Sequence, residues 1–314
     1  MGKEVQKKSI TYFIAGATAT GKTKAAIDLA LLINGEVVSA DSMQIYKYMN
    51  IGTAKPTMEE MRGVPHHCVN LLYPDEECSA ARFKQLAQEA MADIKSRDKP
   101  PIVVGGSGFY LNALLYNTEF AQIDDAHLRL RYMRLANERG SEHLHDMLKI
   151  ADPFYASSIH PNNVKRVARA LAFYHATGSR LSEHNAKERS RNAAESCSVP
   201  QMENDKRLII LDMPREQLYD RINLRVDSMF EAGLVNEARE LLNMGYNKGM
   251  PSMQAIGYKE TADFIAGNCT ESECRDRVKR NTRNYAKRQI TWFKNRTAGI
   301  WKKVDEFNVS DIIN

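Results

Sequence analysis

The segment GATATGKT, residues 16–23, constrains the fold of this 314-residue chain more than any other feature. It fits the pattern G-x-x-x-x-G-K-[ST], follows the apolar run ITYFIAG and precedes KTKAAIDLALLIN, which has helical spacing. A strand, a glycine turn and a helix in that order direct backbone N–H groups and a helix N-terminus at one point, which creates an anion site. The pattern therefore predicts a loop that binds a diphosphate or a triphosphate, and it leaves open which one.

Strands and helices alternate on both sides of this loop. The runs EVVSAD and PPIVVGGSG each predict a buried strand, and SAARFKQLAQEAMADIKSRDK predicts a helix between them. Strand signals are almost absent from residue 116 to residue 205, and RLIILDMP then restores them. We predict an α/β fold: a P-loop NTPase-like parallel sheet flanked by helices, built from residues 1–115 and 206–314, with residues 116–205 as a helical insertion domain.

The composition is typical of soluble globular proteins, with 43% hydrophobic and 26% charged residues. No run of about 18 apolar residues is present, and the N-terminal apolar run is too short for a secretory signal. The five cysteines are odd in number and lack a C-x-x-C pair, which favours reduced thiols over disulfides or a zinc site. We therefore expect a cytoplasmic protein with no membrane partner.

Every position of the phosphate-binding loop contributes to the predicted anion site. The backbone supplies N–H groups, Lys22 adds a positive charge, and the hydroxyl of Thr23 is placed to reach Mg²⁺. The predicted anion-binding residues are Gly16, Ala17, Thr18, Ala19, Thr20, Gly21, Lys22 and Thr23.

Polar residues follow two further strands at the points where those strands end. Open parallel sheets bind ligands at the carboxyl ends of their strands. Asp41 is therefore a candidate general base or a ligand for metal-bound water, although it fits the role of a cap for the next segment equally well. Ser107 offers a hydroxyl within a glycine-rich turn, a pattern that on its own favours an ordinary strand-to-helix connection.

Basic residues gather on three predicted helices. Arg221 and Arg225 are four residues apart, hence on one helix face, where they suit either a phosphate or a solvated surface. The net charge of +5 is small, but the C-terminal run RDRVKRNTRNYAKRQITWFK carries eight basic residues against one acid, with aromatic residues between them. That run and a basic stretch within residues 165–169 favour a nucleic-acid partner over a merely solvated face.

These motifs together resemble the bacterial tRNA dimethylallyltransferase family over nearly the whole chain. The most diagnostic stretch is DSMQIYKYMNIGTAKP, residues 41–56. The segments VPHH, VGGSGFYLNALL, HPNNVKRVARAL, PSMQAIGYKE and YAKRQITWF follow it in the order found in the family. Ala17 stands where proline is usual, Thr20 where serine is common and Ser107 where threonine is common. The glycine frame and the hydroxyl at residue 107 survive these departures.

The resemblance implies that the loop binds dimethylallyl diphosphate, and not ATP as a phosphoryl donor. It implies transfer of the dimethylallyl group to N6 of adenosine 37, beside the anticodon of tRNA. Asp41 matches the base that takes a proton from that amine. Thr23 and Lys22 would hold the diphosphate with Mg²⁺, and Arg221 or Arg225 would neutralise the departing diphosphate. We expect a monomer.

The resemblance also implies contacts with the tRNA anticodon stem-loop. The implied residues are Asp41, Ser42, Met43, Gln44, Ser107, Lys165, Arg166, Val167, Ala168, Arg169, Gln254, Gly257 and Lys259. To these the basic C-terminal run adds Lys279, Arg280 and Arg283.

Three other functions remain open at this point. A phosphoryl-transferring kinase would use the same loop and an arginine-bearing helix. An isopentenyltransferase that acts on a free adenine nucleotide would share most of the site, although the helical insertion and the basic segments favour a macromolecular acceptor. A non-enzymatic RNA-binding module would not require Lys22, Thr23 and Asp41 around an anion loop.

Overall fold

The computed structural model describes residues 10–118, 125–186 and 205–313. The chain divides into two compact units, one formed by Met1–Glu119 with Met202–Asn314 and the other by Phe120–Gln201. The insertion limits predicted from the sequence, residues 116 and 205, lie just outside those of the second unit.

A six-stranded parallel sheet forms the centre of the described part of the first unit. The strands are β1 (Thr11–Gly16), β2 (Glu36–Ser39), β3 (His66–His67), β4 (Pro101–Gly105), β5 (Lys206–Asp212) and β6 (Ile300–Lys303). They lie in the order β3-β2-β4-β1-β5-β6, and every neighbouring pair is parallel. The predicted α/β class is confirmed.

Helices cover both faces of this sheet. The helices of the first unit are α1 (Lys22–Ile33), α2 (Met58–Met61), α3 (Ala80–Ser96), α4 (Gly108–Leu115), α9 (Arg215–Glu231), α10 (Leu234–Asn243), α11 (Tyr258–Ile265) and α12 (Glu271–Arg296). Strand β1 shows why both faces are apolar: Phe13 packs with residues of α3, α4 and α12, whereas Ile14 packs with residues of α1. Successive side chains of a strand point to opposite faces, so a strand covered on both sides is continuously hydrophobic.

The second unit is helical in its described part. It contains α5 (Ala126–Arg139), α6 (Ser141–Ala151), α7 (Pro153–Ser157) and α8 (Val164–Thr177). Its core includes Leu144, Leu148, Val167 and Leu171, all nearly inaccessible to solvent. The apolar residues recur every three or four positions, which is why each segment forms an amphipathic helix.

None of the helices within the described residues is long and apolar enough to cross a bilayer. Cys68, Cys78, Cys269 and Cys274 carry free thiols. Cys197 lies outside the described residues.

Candidate active site

The predicted phosphate-binding loop, residues 16–23, runs from the end of β1 to the start of α1. Ala19 and Gly21 have φ angles of 66° and 85°, so the loop passes through the left-handed region just before the helix. A Cβ on Gly16 would lie 2.7 Å from the carbonyl oxygen of Leu211, so this position requires glycine. The loop thus brings its backbone to the N-terminus of a 12-residue helix without an acidic residue in its first turn. That arrangement suits an anion.

Lys22 lies within this loop and is turned toward it. Its Nζ donates to the carbonyl oxygen of Ala17 at 3.1 Å. Burial, and to a smaller extent the positive charge of Arg225, lower the pKa of Lys22 to about 8, although the negative charge of Asp41 acts in the opposite direction. Because a bound anion would favour the protonated amine, this lysine is suited to hold a phosphate group.

Arg225 of α9 reaches the phosphate-binding loop. Its Nη1 donates to Oγ1 of Thr18 at 3.4 Å, and burial lowers its pKa while the nearby Asp41 raises it. Arg221, one helical turn earlier, is exposed. The sequence could not show which of the two arginines reaches the loop. In the structure Arg225 lies at the loop, whereas Arg221 lies on the solvent-facing part of the helix.

Asp41 follows β2 and begins the diagnostic segment. Its Oδ1 accepts hydrogen bonds from the N–H groups of Met43 at 2.9 Å and Gln44 at 3.4 Å, so it does act as a cap. It also lies within electrostatic range of Lys22 and Arg225. Asp41 can therefore serve both as a cap and as a general base, because both capping hydrogen bonds go to Oδ1 and leave Oδ2 available.

The side chain of Gln44 is committed to the fold. Its Oε1 accepts from the hydroxyl of Ser39 at 3.0 Å, and its Nε2 donates to the carbonyls of Thr53 and Ala54 at 3.3 and 3.2 Å. Gln44 therefore shapes the segment that follows Asp41.

Two residues that sequence reasoning missed hold the rest of the diagnostic segment. The carboxylate of Glu237 on α10 accepts from the N–H groups of residues 50–52 and from the hydroxyl of Tyr258 at 2.6 Å. Lys55 is buried, donates to the carbonyl of Tyr46 at 2.7 Å, and has its pKa lowered to about 8 by burial. Lys55 belongs to a motif that the sequence displays, whereas nothing in the sequence near Glu237 marks its role.

The glycine turn after β4 packs closely against its surroundings. A Cβ on Gly105 would lie 2.2 Å from the carbonyl oxygen of Ala40, and one on Gly108 would lie 2.1 Å from the Trp292 ring. The turn is therefore more specialised than an ordinary connection. The hydroxyl of Ser107 accepts from the N–H of Ser42 at 3.3 Å, which joins this turn to the segment that begins at Asp41.

Helix α12 contributes two further residues, Gln289, which the sequence did not single out, and Tyr285, which the sequence offered only as one of the aromatic residues of the basic run. Gln289 accepts from the N–H of Thr18 and donates to the carbonyl of Gly106. The hydroxyl of Tyr285 lies beside Ser107 and Gln289, and burial together with the charge of Asp41 raises the pKa of Tyr285 to about 12. Both residues lie within the segment YAKRQITWF. That segment resembles a family motif, but the sequence alone does not show which residues its side chains contact.

The predicted tRNA-binding cations of α12 do not share one surface. Lys279 pairs with Asp227 at 2.7 Å and Arg283 donates to Asn223 at 2.5 Å, so both are tied to α9, whereas Arg280 is exposed. A groove of about 480 Å³ follows the helix further on. It is lined by Asn284, Lys287, Arg288, Thr291, Trp292, Asn295 and Arg296.

The segment after α10 combines exposed and structural positions. Gln254 is exposed and donates to the carbonyl of Lys248. Gly257 is buried at φ 100°, and its N–H donates to Glu260 at 2.8 Å. Lys259 pairs with the same Glu260 at 3.4 Å. Gly257 thus helps to form the N-terminus of α11. Gln254 and Lys259 are the predicted tRNA-binding residues of this segment that have polar side chains.

The remaining predicted tRNA-binding residues lie on α8 of the second unit. Lys165, Arg166 and Arg169 are exposed. Val167 and Ala168 are 0% and 1% exposed and belong to the core, so the expectation that their side chains meet tRNA is corrected. Helical periodicity places them on the inner face of α8, opposite the cations.

Comparisons with known proteins give one consistent result. The family described as IPP transferase matches residues 44–296. The tRNA dimethylallyltransferase of Acetivibrio thermocellus is 48% identical over 301 residues, which are 96% of this chain and 93% of that protein. That of Lachnoclostridium phytofermentans is 45% identical over 296 residues, 94% of this chain and 92% of that protein.

Solved structures agree with the sequence comparisons. The full-length tRNA isopentenylpyrophosphate transferase of Bacillus halodurans is 42% identical with a TM-score of 0.68, over 98% of this chain and 94% of that one. A eukaryotic dimethylallyltransferase acting on tRNA is 31% identical with a TM-score of 0.75, over 94% of this chain and 73% of that one.

Proposed function

The chain belongs to the IPP transferase family, and from that premise we propose that it transfers the dimethylallyl group of dimethylallyl diphosphate to N6 of adenosine 37 in tRNA. The products are i6A and diphosphate. The observation that carries this proposal is the meeting of Lys22, Arg225 and Asp41 around one loop. The site thereby offers two cations for a leaving anion and a carboxylate for a proton.

The cations stabilise the departing diphosphate. When the bond between the allylic carbon and the diphosphate oxygen breaks, negative charge collects on the diphosphate. Lys22, Arg225 and the backbone N–H groups of the loop are fixed before this charge appears, so they stabilise the transition state without rearranging.

The donor chemistry of the loop also fits Mg²⁺. Thr23 lies in the first turn of α1, directly after Lys22, and in this motif the hydroxyl at that position is a ligand for Mg²⁺ bound to the phosphates. Among the described residues no three His, Cys, Asp or Glu side chains cluster as metal ligands. We therefore propose that Thr23 supplies a protein ligand and that phosphate oxygens and water supply the others, as Mg²⁺ prefers. The ion would offset the charge of the diphosphate.

Asp41 receives the proton from the adenine amine. Its Oδ1 is held by two backbone N–H groups, which fixes the carboxylate and leaves Oδ2 for N6–H. As the bond between N6 and the allylic carbon forms, the N6 proton moves to Oδ2. The amine is a weak nucleophile, so both its position and the removal of its proton contribute to the rate.

The acceptor is a base that must leave the anticodon loop to reach this carboxylate. Exposed cations on α12 and α8 suit the phosphates of an anticodon stem-loop, and the groove that includes Trp292 suits an unpaired nucleotide. We propose a monomeric enzyme that acts on tRNA in the cytoplasm.

Mass analysis of an anticodon stem-loop tests this proposal. An unmodified stem-loop is incubated with the protein, Mg²⁺ and dimethylallyl diphosphate, and a parallel tube contains ATP and small acceptors instead. We expect a gain of one dimethylallyl group at adenosine 37 in the first tube and no phosphoryl transfer in the second. The reverse pattern would identify a kinase.

Substitution of Asp41 tests the assigned base. We expect Asp41→Ala to lower kcat at least about 100-fold while the Kd for tRNA changes little, because a general base typically contributes that much. Near-normal turnover by this variant would remove Asp41 from its role.

A further inference from the structure

A single side-chain amide connects two loops of the active site. Gln289 is 5% exposed. Its Oε1 accepts a hydrogen bond of 2.8 Å from the N–H of Thr18 in the phosphate-binding loop, and its Nε2 donates one of 2.9 Å to the carbonyl of Gly106 in the glycine turn. Both ends of the amide are thus satisfied by backbone groups, and we call this pair of bonds the Gln289 bridge.

The two bridged loops serve different substrates under the proposed function. The phosphate-binding loop holds the donor. The glycine turn continues into Ser107, whose hydroxyl accepts from the N–H of Ser42, next to Asp41 on the acceptor side. A continuous series of bonds therefore runs from the donor loop through Gln289 to the segment that holds the base.

We propose that Gln289 is a positioning residue of the transfer reaction, which fixes the donor loop against the acceptor side of the site. The inference rests on the proposed function. A displacement requires the allylic carbon and the amine nitrogen within about 3–3.5 Å and in line, so small shifts between the loops are costly. Gln289 touches neither reacting atom and acts through the backbone of both loops.

Gly106, which accepts one of the two hydrogen bonds, has no side chain, and this leaves room for the amide of Gln289. A Cβ on Gly106 would lie 2.1 Å from Nε2 of Gln289 and 3.3 Å from the carbonyl oxygen of Gly16. Gly106 is not among the residues with positive φ, so its backbone would accept alanine. Glycine is required at residue 106 because the side-chain amide of Gln289 approaches the backbone closely there. The N–H of Thr18 donates to Gln289, so this hydrogen bond helps to fix the conformation of the phosphate-binding loop.

Gln289→Leu removes both bonds and keeps most of the side-chain volume. Thr297→Val is the matched control, because it removes a buried hydrogen bond of 2.7 Å just after the same helix and away from the site. We expect Gln289→Leu to lower kcat at least about tenfold, since misplacement of reacting groups acts on the chemical step. The Kd for tRNA should stay within about threefold, and Thr297→Val should keep its kcat.

Hydrogen–deuterium exchange reports the bridge without reference to catalysis. In Gln289→Leu we expect faster exchange in residues 16–23 and in residues 104–110 together, because one amide restrains both. Thr297→Val should leave both segments as protected as in the unaltered protein.

Gln289→Glu supplies a variant whose bridge depends on pH. Its carboxyl can accept from Thr18 N–H in either form, but it can donate to the Gly106 carbonyl only when protonated. Burial beside a carbonyl oxygen raises the pKa of such a carboxyl. The activity of Gln289→Glu relative to the unaltered protein should therefore rise at least about threefold from about pH 8.5 to about pH 6.

The charged and titratable groups near the bridge occur in both proteins, so the ratio isolates the introduced carboxyl. They are Tyr285 and Arg288 on α12, Lys22 in the phosphate-binding loop, Arg225 on α9 and Asp41 after β2.

The outcomes separate the inference from the function on which it rests. A kcat within about threefold of normal in Gln289→Leu, or equal losses in Gln289→Leu and Thr297→Val, would overturn the positioning role. So would a flat activity ratio for Gln289→Glu across this pH range. If the unaltered protein formed no i6A, the proposed function would fail and the catalytic role with it, while the exchange measurement would still decide whether the bridge restrains both loops.

Discussion

At the scale of single residues, Arg221 and Arg225 form a natural matched pair on α9. Arg225 contacts the phosphate-binding loop through Thr18, whereas Arg221 is exposed one turn away. We expect Arg225→Gln to lower kcat about 100-fold or more, because removing one fixed donor to a developing anion costs about that much. Arg221→Gln should retain kcat within about threefold, since it leaves those donors in place. Steady-state kinetics with saturating tRNA measures both, and equal losses in the two variants would contradict the assignment.

The sequence could predict that these arginines share a helix face, but not which of them meets the loop. Spacing fixes relative direction around a helix, while the contact depends on how α9 is placed against β1. The same limit explains why the sequence did not predict the contacts of Gln289. Its partners lie 271 and 183 residues away along the chain, so no local pattern reveals them. Asp41 could be predicted as a candidate site residue, because it follows a parallel strand and ligands bind at the carboxyl ends of such strands.

At the scale of elements, two successive parts of α12 make different contacts. The part around Lys279 and Arg283 packs against α9, and the part that follows it bears the groove with Lys287 and Arg288. We expect the double substitution Lys287→Ala with Arg288→Ala to weaken tRNA binding and to reduce the slope of log K against log salt by up to about 2. Each lost phosphate contact removes about 0.7–0.9 from that slope. Titrations at several salt concentrations measure it.

The matched control is the double substitution Lys279→Ala with Arg283→Ala in the part of α12 that packs against α9. It removes the same charge from the same helix but breaks contacts with α9, so it should lower the melting temperature while the slope changes by less than about 1. A larger slope change in this control than in the Lys287 and Arg288 variant would place the tRNA on the α9 side.

The strands and helices themselves were largely predictable. The apolar runs that became β1, β2, β4 and β5 are buried on both faces, so their hydrophobic pattern is continuous and strong. Composition also indicated a basic C-terminal helix. It could not tell which cations of that helix are tied to α9 and which are exposed, because only tertiary contacts select their partners.

At the scale of the whole molecule, each unit carries exposed cations that the proposed function would direct to tRNA phosphates. The second unit offers Lys165, Arg166 and Arg169 on the exposed face of α8. Sites on separate units that bind one polyanion should contribute independently to counterion release, so their effects on the salt slope should add. Replacing these three residues by alanine should therefore reduce the slope by up to about 3, and combining them with Lys287→Ala and Arg288→Ala by up to about 5.

Pyrophosphate binding provides the internal control for this set. The phosphate-binding loop lies wholly in the first unit, and these variants retain Lys22, Arg225 and the backbone N–H groups of the loop, so the Kd for pyrophosphate with Mg²⁺ should stay within about twofold in each of them. An unchanged tRNA affinity and slope after replacement of Lys165, Arg166 and Arg169 would confine tRNA binding to the first unit. A combined effect well short of the sum would show that the two basic surfaces are not engaged at the same time. Additive slopes would mean that the cations of α8 and those of α12 each contribute phosphate contacts of their own to tRNA binding.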